Sequence, residues 1–101
     1  MNDKTKTWEY MEYIQNNLPY SELLAQLAEE CCELAQASLK YRRVLDKTNP
    51  TPVEEQDAID HLLEEAADVY GCLRALNISV NDLTPLLETK FKRWVRRLGV
   101  R

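Results

Sequence analysis

Apolar residues return every three or four positions along most of the chain, the repeat of an amphipathic helix, and breaker residues cut that repeat into four stretches. The first predicted helix runs from about Thr7 to Asn16 (TWEYMEYIQN) and stops at the turn carrying Pro19, which cannot continue a helix. The second starts near Tyr20 or Ser21 and runs to about Asp46. Asn49-Pro50 and Pro52, within DKTNPTP, end it and make the one proper loop. The third spans about Val53 to Leu76, after which Asn77-Ile78-Ser79 turns the chain. Ser79 with Asp82 three residues on reads as a capping box for a fourth helix, which kinks or restarts at Pro85 and continues to Leu98 before Gly99.

Along the second helix, steps of 4,3,4,3,4 pick out Leu23, Leu27, Glu30, Leu34, Ala37 and Tyr41, the spacing of a seam between packed helices. The same steps along the third pick out Ala58, Leu62, Glu65, Val69, Cys72 and Leu76. Glu30 and Glu65 therefore sit where apolar knobs belong. Glu33 and Asp68 follow three residues later, at about 60° to the same side of each seam. If the two helices form an antiparallel hairpin, four carboxylates converge on one spot. A single Glu-Glu pair on a helix is ordinarily solvated surface. Two such pairs, each in register with a seam and each followed by a further acid, are a different matter. Carboxylates crowded in a partly dry seam repel one another unless protonated or bound to cations, and no Lys or Arg lies in either seam. A divalent metal is the simplest compensation, and oxygen-only ligation favours a hard ion, Mg²⁺ or alternatively Mn²⁺.

Composition agrees with an all-α, four-helix bundle-like fold: two glycines and four prolines are too few for the turns of an all-β protein, and 101 residues suffice for one domain, residues 1–101. No apolar run approaches the length of a membrane span, and the first residues lack the apolar region of a signal peptide, so the expected location is cytoplasmic, with no membrane partner. Three cysteines, Cys31, Cys32 and Cys72, have neither disulfide-framework nor zinc-site spacing and are expected to be reduced core fillers.

Charge is unevenly spread. Residues 1–89 hold 7 Lys/Arg and all 17 Asp/Glu, whereas residues 90–101 (KFKRWVRRLGVR) hold 6 Lys/Arg and no acid. That basic tail on an acidic body is a weak footprint for nucleic acid, and a smaller anion fits better. On the last helix Leu87, Phe91, Trp94 and Leu98 form an apolar stripe expected to face the core, with Lys90, Arg93 and Arg97 along one edge and Lys92 and Arg96 turned away. Cations at that edge could contact a phosphate group held over the metal, although cations in a last turn also simply complement the helix dipole. Phosphate with metal suggests a nucleotide polyphosphate.

The paired motif resembles that of the MazG-like all-α nucleoside triphosphate pyrophosphohydrolases, E-E-x-x-E, a spacer, then E-x-x-D. Here it reads Glu29-Glu30-Cys31-Cys32-Glu33 and Glu65-Ala66-Ala67-Asp68, and the resemblance covers roughly residues 20–98. It implies that Glu30, Glu33, Glu65 and Asp68 hold Mg²⁺ against a triphosphate. It also makes Lys90-Phe91-Lys92-Arg93 similar to a family segment that contacts phosphates. The spacer between Glu33 and Glu65 is longer than usual for the family. Glu33 is the first choice for the acid that takes the proton of the attacking water, and Glu29 the second. Trp8 and Tyr10 are candidates for an aromatic platform near the base, although Trp8 also suits a plain core or interface role.

Two other readings stand beside hydrolysis of nucleoside triphosphates: a phosphoribosyl-ATP pyrophosphatase, or a non-catalytic helical regulatory or binding module of the same fold. A di-iron bundle needs Glu-x-x-His, and the only histidine, His61, has Ala58 three positions before it. The long second and third helices carry more apolar face than so short a chain can cover, which predicts a homodimer or homotetramer.

Overall fold

The computed structural model describes residues 3–47, 49 and 51–99, with side chains described from residue 6 onward. Among the described residues all regular structure is helical: α1 Asp3–Asn17, α2 Tyr20–Asp46, α3 Glu55–Ala75 and α4 Val80–Arg97. Helix α1 begins before Thr7 because no breaker separates Asp3 from it. Pro19 is the extended residue ahead of α2, and its carbonyl accepts the amides of Glu22 and Leu23, which sets the start of that helix. The far end comes at Lys47, whose left-handed backbone (φ 59) returns its amide to the Arg43 carbonyl. Helix α3 starts two residues later than Val53, since the Val53 amide is engaged by the Thr51 carbonyl and Glu54 is still extended. Pro50, one of the expected breakers, lies outside the described residues, as does Arg101 of the basic tail.

Helices α2 and α3 form the antiparallel hairpin, and the two 4,3 seams are its contact. Every seam position on both helices is buried or half-buried. The smallest residues go deepest, Ala37 and Ala58 each being 1% exposed, because close approach of two backbones needs small side chains there. Tyr41 donates to Glu55 (3.4 Å) and Arg43 to Thr51 (3.3 Å), which ties the loop end together. At the opposite end Leu23, Ala75 and Leu76 make a small core with Met11 of α1 packed against it. Gln15 fixes α1 to the end of α3 by donating to the Ala75 carbonyl (3.0 Å) and to Asn77 (3.2 Å).

Helix α4 departs from the expected bundle. Its capping box forms, with the Ser79 amide donating to the Asp82 carboxylate at 2.9 Å, and Pro85 is accommodated inside the helix. Yet residues 80–99 are exposed throughout, and the Leu87–Phe91–Trp94–Leu98 stripe faces no core in this chain. Helix α2 packs on α3 and α1 on α3, whereas α4 makes no extensive contact with any of them. Amphipathic periodicity specifies which side of a helix is apolar, whereas an apolar side is covered only where another surface meets it. The cysteines need a second correction: Cys31 and Cys32 are exposed, and only Cys72 is half-buried. They follow Glu30 directly, so the helical turn rotates them out of the seam that Glu30 occupies. No helix among the described residues is long and apolar enough to cross a membrane.

Candidate metal centre

Because α3 runs back along α2 from a short loop, seam residues whose numbers sum to about 95 face one another, and Glu30 meets Glu65. Glu33 and Asp68, one helical turn further along their own helices, join them on the same side of the hairpin. Each of the four offers a carboxylate oxygen, and these oxygens all lie within 4.8 Å of one another. Ligands on opposite sides of an octahedral Mg²⁺ are about 4.2 Å apart, so a small side-chain adjustment brings such a set onto one ion.

The individual oxygens divide the work. Gln26 donates to Glu30 Oε1 at 2.8 Å, and His61 Nε2 lies 3.2 Å from Glu65 Oε1. Both contacts join residues four apart on one helix, so each seam glutamate has one oxygen tethered by the preceding turn. The other oxygens, Glu30 Oε2 and Glu65 Oε2, are buried and have no partner. Buried carboxylate oxygens without donors are costly, and here two of them occur in the same cluster of acids. The hydrogen bond from Gln26 pulls the Glu30 pKa down, but desolvation, repulsion by Glu33 and Asp68 and a hydrogen-bond interaction with Asp68 outweigh it and raise the acid above its ordinary value. Burial, then the charges of Glu30 and Asp68 and the neighbouring Cys31, push the Cys72 thiol up as well, which keeps it a protonated bystander. The donor set is all oxygen, anionic and partly dry, and it fits a hard divalent cation.

Three residues to which the sequence alone gave no role at this site join the acids, His61 having been set aside as a ligand. Gln26 and His61 stand four positions before the two seam glutamates, a spacing that signals a helical pair once the glutamates are singled out. The third is Arg74, whose guanidinium lies 5.0 Å from the centre of the Trp8 ring and whose Nε is buried without a partner. Nothing in the sequence couples Arg74 to Trp8, because the contact exists only once α1 packs on α3. Gln26, Arg74 and Trp8 line a groove of about 670 Å³ between α1, α2 and α3, whose walls also include Tyr10, Tyr70, Glu30 and Asp68. The two candidates for an aromatic platform thus share a groove with two of the acids.

Other candidate residues are not gathered there. Glu29 is exposed and outside the cluster of four, since it falls about 100° from Glu30 around α2, away from α3. Lys90, Arg93 and Arg97 are exposed on α4, which does not pack on the hairpin of its own chain.

If Gln26 and His61 orient the ligating acids, Gln26→Ala and His61→Ala each weaken Mg²⁺ binding by about 10–100-fold, the usual cost of losing an outer hydrogen bond at a metal site. Calorimetric titration with Mg²⁺ checks this, with helical circular dichroism as the control for folding. No protein-family model, no curated protein and no solved structure matches the chain, so the arrangement of these side chains is the ground for a functional reading.

Proposed function

We propose that the chain is a Mg²⁺-dependent nucleoside triphosphate pyrophosphohydrolase, releasing a nucleoside monophosphate and pyrophosphate. The observation that carries this reading is the pair of buried, partnerless oxygens of Glu30 and Glu65 within a four-acid cluster that opens onto an aromatic groove. The resemblance of the two acidic motifs to the MazG-like enzymes points the same way. When bound, Mg²⁺ supplies neutralisation of the polyphosphate and polarisation of the phosphorus under attack.

The chain's own residues do the rest. Glu30 and Glu65, each with one oxygen engaged by Gln26 or His61, would hold the ion through their other oxygens. Glu33 and Asp68 are more exposed and complete the set. Glu33, at the exposed margin of the cluster, is also the proposed acceptor of the proton of an incoming water. The groove takes the base against Trp8, Tyr10 or Tyr70, and the unpaired Arg74 Nε provides a donor in the same cleft. Because α4 has no extensive contact with its own hairpin, Lys90, Arg93 and Arg97 would reach the phosphates from α4 of a neighbouring protomer in a homodimer or homotetramer.

Chromatography of products from a panel of nucleoside triphosphates incubated with pure protein and Mg²⁺ is the direct test. Monophosphate and pyrophosphate, with no diphosphate on the way, is the expected result. Diphosphate with orthophosphate would contradict the bond assigned, and turnover confined to phosphoribosyl-ATP would move the chain to that activity. No turnover of any triphosphate would favour a non-catalytic binding module. The tail has its own expected outcome: Lys90→Ala and Arg93→Ala lower kcat/KM by at least about tenfold, about 1.4 kcal/mol of transition-state stabilisation, whereas Lys92→Ala changes it little. Equal losses at all three positions would mean that α4 presents a different edge.

A further inference from the structure

Arg74 stands half-buried in the last turn of α3, in the wall of the groove between α1, α2 and α3. Its guanidinium lies 5.0 Å from the centre of the Trp8 ring, and its Nε is buried with no acceptor. Among the described residues, no carboxylate, carbonyl or hydroxyl receives a hydrogen bond from any of its N–H groups. A half-buried arginine has given up part of its hydration, and an aromatic face stabilises its charge without accepting hydrogen bonds in the guanidinium plane. The donors in that plane are left for a group that enters the groove.

We propose that Arg74 reads the base of the bound nucleotide, selecting a ring that carries two hydrogen-bond acceptors side by side on one edge. The inference rests on the nucleotide reading of the site, and it adds a class of base and the residue that chooses it. The groove is divided along its length. Glu30 and Asp68, which would hold the metal and with it the phosphates, line one part, and Arg74 follows Asp68 by six residues, about 9 Å of rise along α3. Toward the end of α3 the lining turns apolar, with Met11, Leu23 and Ala75 of the small core. Phosphates belong with the metal ligands, whereas a flat ring belongs in the apolar part, where Trp8 offers a face.

The guanidinium then decides which ring. It presents N–H donors in parallel pairs within one plane and offers no acceptor. Guanine answers with O6 and N7, and cytosine with O2 and N3, so each pairs with both prongs of the fork. Adenine sets its N6 amino group beside N7, and uracil or thymine sets N3–H between its carbonyls. One donor of the fork then meets another donor. In a partly dry groove that mismatch leaves two polar groups unpaired, which is how a site built to hydrogen-bond one ligand rejects its analogue. Packing against Trp8 fixes the plane of the fork, so the acceptors must arrive from a set direction.

Binding of the four nucleoside monophosphates tests this without turnover. In a Trp94→Phe chain Trp8 is the only tryptophan, and its fluorescence reports a base arriving beside it. In Mg²⁺ buffer GMP, CMP or both are expected to quench Trp8 and to bind about tenfold or more tighter than AMP and UMP, the discrimination of a bidentate contact. Arg74→Lys in that chain keeps the charge and loses the fork, and it is expected to bring the four affinities within about threefold with helical circular dichroism unchanged. If Arg74→Lys loses helicity, the ranking in the Trp94→Phe chain decides alone. AMP or UMP binding as tightly as GMP and CMP, no quenching of Trp8 by any of the four, or a ranking that survives in folded Arg74→Lys overturns the inference. The pyrophosphohydrolase reading fails separately: a base preference in a chain that hydrolyses no triphosphate removes that reading and keeps this one, whereas hydrolysis of all four triphosphates alike, with equal monophosphate affinities, removes only this one.

Discussion

Millimolar Mg²⁺ raises the melting temperature of the wild-type chain, and neither Glu30→Gln nor Glu65→Gln shows that rise. At a concentration of about 100 times the dissociation constant, an ion that binds only the folded state adds about 2.7 kcal/mol. For a chain of this size that corresponds to a shift on the order of 10–20 °C. In EDTA the order reverses, and each Gln variant melts above wild type, because removing one carboxylate relieves the repulsion within the cluster at the cost of a single neutral amide. The pH dependence of the metal-free protein follows from Glu30. Its folded-state pKa lies above the ordinary value of 4.5, so between neutral pH and that value the folded state holds more protons than the unfolded chain. Stability of the metal-free wild type therefore rises as the pH falls through this window, and Glu30→Gln flattens the rise. Differential scanning fluorimetry across pH, with Mg²⁺ or with EDTA, measures all of these. A wild type indifferent to Mg²⁺ would sink the metal centre.

Glu33→Gln and Asp68→Asn abolish turnover of the triphosphate, by on the order of a thousandfold or more, equivalent to about 4 kcal/mol of transition-state stabilisation. Both side chains are accessible members of the cluster, so each change removes a ligand without opening a cavity, and the helical circular dichroism stays as in wild type. Glu29→Gln is the informative contrast. Its carboxylate lies outside the cluster, and the expected loss is within about threefold. A Glu29→Gln defect as deep as that of Glu33→Gln would return Glu29 to the reaction. Steady-state kinetics at saturating Mg²⁺ separates these cases, and a kcat effect without a change in KM would place the lost interaction in the transition state.

The hairpin and its acids were legible from residue order alone. The 4,3 spacing fixes which side of α2 and α3 can pack, and the short loop from 47 to 54 leaves the antiparallel register little freedom. Glu30 and Glu65 must then meet, and Glu33 and Asp68 must follow on the same side. Helix ends set by Pro19, and by Ser79 with Asp82, are local as well, because they depend on a missing amide proton and on a carboxylate within reach of one. Only the tertiary structure decided the rest. The groove beside the acids and the Trp8–Arg74 contact exist because α1 docks on α3, a contact between distant parts of the chain that periodicity does not encode. Which oxygens of Glu30 and Glu65 are tethered and which are left bare depends on side-chain rotamers within the packed hairpin. The detachment of α4 is of the same kind. A helical repeat orients an apolar stripe about its own axis, but covering that stripe depends on surfaces elsewhere, and three packed helices of this chain do not provide one.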